Sequence, residues 1–134
     1  MSIKRLTKED IRESTGVLNP IGHTVLAFKD DAVTAEAAGA LRAAGLVDED
    51  ILAYPADEAL PSLRERVAAV SSGAGFGYEI TLMRRYLALA EDGAGWLIVY
   101  APDDAATEQI TEVATRFGAL TAVRYHRLAN EDLI

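Results

Sequence analysis

The chain contains no cysteine. Disulfides, zinc ribbons, iron–sulfur clusters and thiol catalysis are thereby excluded. Histidine is scarce, with His23 and His126 alone. Two ligands make a poor metal site, so no metal and no cofactor is expected. Proline and glycine are sparse, at 4 and 10 of 134 residues, which excludes a collagen-like or proline-rich chain. Basic residues are outnumbered: 13 Lys plus Arg against 21 Asp plus Glu leave a net charge of −8. A field of that sign repels phosphate backbones, so nucleic acid is not expected as a partner. No apolar run approaches the about 20 residues of a membrane span. The uncharged stretch from Val67 to Tyr78 is broken by three glycines and two serines. Met1 to Leu6 starts basic, but Lys8, Glu9 and Asp10 stand where a signal peptide has its apolar segment. A cytoplasmic location with no membrane partner is expected.

What is present is an ordinary globular mixture, 50% hydrophobic and 25% charged. The length suits one domain over residues 1–134, able to bury a real core. Thr7 followed by Asp10 resembles a capping box, and Gly16 stops the short helix it opens. Residues 1–22 thus read as an N-terminal helical arm. His23 to Phe28 is a compact apolar run, hence a strand. Asp30-Asp31 caps a helix over about Ala32–Ala44, Gly45 stops it, and Ile51 to Tyr54 is a second strand. Leu60, Leu63, Val67 and Val70 recur at spacings of three and four, the apolar stripe of a helix with Pro61 in its first turn. A further helix spans about Tyr78–Asp92. Trp96 to Ala101 is an apolar strand. Asp103-Asp104 caps a helix over Ala105–Phe117, Gly118 stops it, and Thr121 to His126 is the last strand. The polar tail around Asn130-Glu131-Asp132 is expected to fray.

The strongest signal is an internal repeat. Asp30, Asp31, Ala32, Thr34 and Gly45 recur 73 residues later as Asp103, Asp104, Ala105, Thr107 and Gly118. Each unit reads strand, acidic cap, helix, glycine stop, strand. Metal binding by the acid pairs is the functional alternative; capping, which the orphan N–H groups of a helix start require, is the reading adopted. Two βαβ units, about 23–54 and 96–126, imply an α+β fold: a ferredoxin-like sandwich with a helical insertion at 58–92 between them.

Several of these features together resemble bacterial general-stress-protein-like domains of poorly known function. They are Leu26 to Asp31, Gly45-Leu46, Gly73-Ala74-Gly75-Phe76-Gly77, Tyr86, Gly93 to Tyr100, Asp103-Asp104 and Gly118-Ala119. The resemblance covers about residues 23–127. It implies a possible stress-related role and carries no catalytic residues.

Candidate chemistry is thin. Gly73 to Gly77 is compared with a dinucleotide fingerprint, but its third glycine comes one residue early, a helix precedes it and no Walker lysine follows. A hinge or packing contact is expected there. Arg84 and Arg85 beside Tyr86 offer forks for an anion, with His126 as the remaining polar candidate. The strand Trp96 to Ala101 is apolar on both faces, and a ferredoxin-like sheet covers one. Either the insertion covers the other face or a second chain does, through Trp96, Ile98 and Tyr100. The function expected is that of a non-catalytic, cytoplasmic homodimer. The alternatives are a small-ligand-binding regulatory domain, or an enzyme with a cleft near Arg84, Arg85 and Tyr86.

Overall fold

The computed structural model describes residues 3–71, 77–127 and 129–134, the side chains of residues 71 and 78 excepted. The expected hinge at Gly73 to Gly77 lies outside the described residues but for Gly77, which caps the helix that follows.

Among the described residues, five α-helices and five strands follow in the order α1 (Lys8–Glu13), β1 (His23–Phe28), α2 (Asp31–Ala43), β2 (Ile51–Tyr54), α3 (Ala56–Ser71), α4 (Tyr78–Glu91), β3 (Gly95–Tyr100), α5 (Asp104–Arg116), β4 (Thr121–Tyr125) and β5 (Asn130–Asp132). The strands form one antiparallel sheet in the order β2-β3-β1-β4-β5, so the fold is α+β. Among the described residues no helix is long and apolar enough to cross a membrane.

The caps sit one residue earlier than the helix starts suggested. Asp30 accepts from the Val33 N–H, and Asp103 accepts from the Ala106 N–H, each at 2.9 Å. Both satisfy an orphan donor of the first turn. Thr34 and Thr107 donate back to the carbonyls of Asp30 and Asp103, so the 73-residue repeat extends to individual hydrogen bonds. Gly45 and Gly118 follow the helix ends with φ of +108° and +66°, a conformation cheap only without a Cβ. The second acid of each pair has another task. Asp31 accepts from the Ala56 N–H at 2.9 Å, and Asp104 pairs with Arg124 at 2.9 Å.

Two other expectations need correction. The helix of the insertion starts at Ala56, which places Pro61 inside α3 rather than in its first turn. The polar tail does not fray: Asn130–Asp132 pairs with β4 as an edge strand, where charged side chains keep the outer edge solvated.

The sheet is covered on both faces. Leu26, Phe28, Leu97, Val99 and Ala122 point towards α2 and α5, joined there by Leu41, Ile110 and Ala114. Val25, Ala27, Trp96, Ile98 and Val123 point the other way, towards Ile11 of α1, Ala59 and Leu63 of α3, and Met83 and Tyr86 of α4. Successive strand residues face opposite sides, so a sheet packed on both faces reads as an unbroken apolar run. All six residues of β1 are buried for this reason.

Candidate ligand cavity beneath the N-terminal arm

Tyr54 and Trp96 are cross-strand partners in the β2–β3 ladder. Side chains so paired share a face and stand about 5 Å apart at Cβ. Here they form one wall of a cavity of about 50 Å³ between the sheet and α3, α4 and the arm. Val25 and Ile98 continue the sheet wall. Ala59, Ser62, Leu63 and Arg66 come from α3, Tyr86 from α4, and Ile11 and Leu18 from the arm.

The lining is mostly apolar; besides Ser62 and Arg66 it carries the polar ends of three aromatic residues, of unequal status. The Tyr86 and Tyr125 hydroxyls hydrogen-bond each other at 2.9 Å. The Tyr54 hydroxyl and the Trp96 Nε1–H are buried and meet no partner among the described residues. A buried polar group without a partner costs about 1–3 kcal/mol. Thr24, the third such residue, lies on β1 among the residues facing α2 and α5. Burial, reinforced by Glu58, pushes the Tyr54 hydroxyl up to about 12, so it stays protonated at neutral pH; Arg66 and Arg12 act weakly the other way. The Tyr86 ring meets Trp96 edge-on, with centroids 5.1 Å apart, which holds the indole plane.

Arg66 is the one charged residue in the lining and is 8% exposed. Its guanidinium donates to the carbonyls of Ile11 at 2.6 Å and Gly16 at 3.2 Å, and to Ser14 Oγ at 2.9 Å. It thereby ties together the C-terminal end of α1 and the turn after it, where the Ile11 carbonyl also accepts from Ser14. Burial lowers its pKa from the ordinary arginine value. Among the described residues no carboxylate forms an ion pair with it.

The arm closes the cavity and is tied down along its length. Tyr100 donates to the Ile3 carbonyl at 2.8 Å. The Leu6 N–H donates to Nε2 of buried His23 at 3.1 Å, which leaves the ring proton on Nδ1 for the Ile21 carbonyl at 3.0 Å. Lys8 pairs with Glu58 and sits 4.4 Å above the Tyr54 ring. Ile3 packs onto Gly22, where any Cβ would collide with it.

The residues singled out in the sequence do not converge. On α4, consecutive residues are rotated by about 100°. Arg84 and Arg85 therefore face solvent while Tyr86 is fully buried. Arg85 donates to the Leu120 carbonyl at 3.2 Å. His126 lies beyond β4, 2.9 Å from Glu131. Trp96 and Ile98, expected at a dimer interface, are each 4% exposed within a single chain. The insertion covers their face, so apolar exposure there gives no reason for a second copy. Tyr100 is half-buried and engaged with the arm.

Sequence reasoning missed Tyr54, Arg66 and the arm's part in the site. Arg66 lies three residues after Leu63, on the apolar stripe of α3, and that position was the available signal. Comparison of the chain with protein-family models, curated proteins and solved structures finds no match.

Proposed function

We propose that this chain is a non-catalytic, small-ligand-binding α+β module whose ligand enters between Trp96 and the arm, enlarging the cavity found there. One observation carries the reading. Two buried hydrogen-bonding groups, the Tyr54 hydroxyl and the Trp96 Nε1–H, stand without partners on the wall of one apolar cavity. Apolar walls with a few convergent polar groups are the usual make-up of small-molecule sites. Among the described residues the lining has no His, Asp, Glu or Cys, which favours binding over acid–base or nucleophilic catalysis. The strand order β2-β3-β1-β4, with α2 and α5 on one face, supports a ferredoxin-like arrangement in which α3 and α4 replace the usual hairpin.

The test is a thermal-shift screen with small aromatic and branched aliphatic molecules, followed by crystallography of any stabilised complex. A ligand at a hundred times its dissociation constant adds about 2.7 kcal/mol. A saturable rise, with density against Trp96 and Tyr54, is expected. No shift across the screen, with one ordered water joining the two groups, would refute the reading.

A further inference from the structure

We propose that the ligand is a small carboxylic acid, bound as its carboxylate, which replaces the arm's carbonyls on Arg66, accepts from the Trp96 Nε1–H and places an apolar body against the Trp96 and Tyr86 rings. This rests on the cavity being a ligand site.

A buried cation is costly unless paired, and Arg66 is 92% buried with two carbonyls and a hydroxyl for partners; among the described residues no carboxylate is ion-paired with it, and the Glu65 charge supports it only weakly. Among the described residues no carboxylate lines the cavity, and Glu58, whose charge is felt at Tyr54, is itself paired with Lys8. A guanidinium matches a carboxylate with two parallel N–H donors, and such charge-assisted bonds are stronger than those to neutral carbonyls. The unpartnered Trp96 Nε1–H is a donor only, and the protonated Tyr54 hydroxyl can also donate. The free groups of the site therefore seek an acceptor.

The size argument gives the coupling. A cavity of about 50 Å³ holds a water or two, not an organic acid. Ile11 and Leu18 of the arm line it, so a ligand larger than the cavity makes room by displacing the arm. The same movement strips Ile11, Ser14 and Gly16 from Arg66 and frees both terminal nitrogens. The arm is thus an internal occupant that competes with the acid. Its release converts binding into a change at the surface.

The experiment is calorimetric titration of the full chain with isobutyrate, isovalerate, phenylacetate and indole-3-acetate, each beside its neutral amide, with trypsin cleavage after Arg12 followed in parallel. At least one acid should bind about tenfold or more tightly than its amide, equivalent to about 1.4 kcal/mol. Cleavage should quicken as that acid saturates. Arg66→Gln should bind acid and amide alike, and Arg66→Lys should keep part of the preference. Should Arg66→Gln fail to fold, the wild-type acid-to-amide ratio and cleavage rate decide alone. Amides binding as tightly as acids would overturn the carboxylate while leaving the cavity as a ligand site. An acid that binds but slows cleavage would overturn the exchange on Arg66. No binding by any member would overturn both.

Discussion

Tyr54 and Trp96 face each other across β2 and β3, and neither the phenol oxygen nor the indole nitrogen finds a hydrogen-bond partner. Other buried groups pair, as Tyr86 does with Tyr125; of the three failures among the described residues, two stand on one cavity wall and mark the place where stability is given up. Sites that bind something often violate a packing rule that the rest of the fold obeys.

The Tyr54 hydroxyl should therefore add nothing to the stability of the free protein. Tyr54→Phe removes a buried group that has no partner, and such a change is neutral or stabilising. Urea unfolding should shift by less than about 1 kcal/mol, or upward. A loss of about 2 kcal/mol would mean that the hydroxyl is satisfied in solution.

The helix caps should behave as the repeat requires. Asp30→Ala and Asp103→Ala should each cost about 0.5–2 kcal/mol in chemical denaturation, the ordinary penalty for a lost N-cap. Asp104→Ala should cost less, since its carboxylate is exposed and its pair with Arg124 lies at the surface. Equal losses at Asp103 and Asp104 would contradict this assignment.

His23 should make the protein acid-sensitive. Burial lowers its pKa below 6.5, against weaker raising contributions from the Ile21 carbonyl and Asp50. The folded state thus favours the neutral ring, whose Nε2 must stay unprotonated to accept from Leu6. The contribution is fully present above the unfolded value and is lost as pH falls through the lower folded value. Melting temperature should fall more steeply from about pH 7 to about pH 5 than in His23→Gln. Identical profiles would exclude His23 as the cause.

Ile98→Glu should unfold the chain rather than split an assembly, because Ile98 is enclosed by its own protomer. An unpaired charge buried there should cost about 4 kcal/mol or more. Sedimentation together with near-ultraviolet dichroism checks this. A well-folded variant of half the wild-type mass would restore the dimer interface.

Much of the fold was legible because its signals are local. Asp30 and Asp103, Thr34 and Thr107, Gly45 and Gly118 each act within a turn of their own helix, so a repeat in sequence becomes a repeat in structure. The caps were misplaced by one residue because either acid of a pair satisfies the pattern. The cavity was not legible. It depends on the register that sets Tyr54 beside Trp96 and on an arm that closes over both, and neither follows from local spacing. Arg66 stands amid Arg64 and Glu65, both exposed, so charge pattern alone does not single it out as buried. Arg84-Arg85-Tyr86 looked like a cluster, but helical rotation separates its members.

Trp96 is the only tryptophan, so the 15N–1H spectrum of the protein carries one indole cross-peak, that of the unpartnered donor. Titration with phenylacetate and the other small acids, followed at that peak, addresses the ligand cavity most directly. The account expects a saturable downfield movement of the proton as Nε1–H gains an acceptor. An indole peak unmoved by every acid and every amide would contradict it.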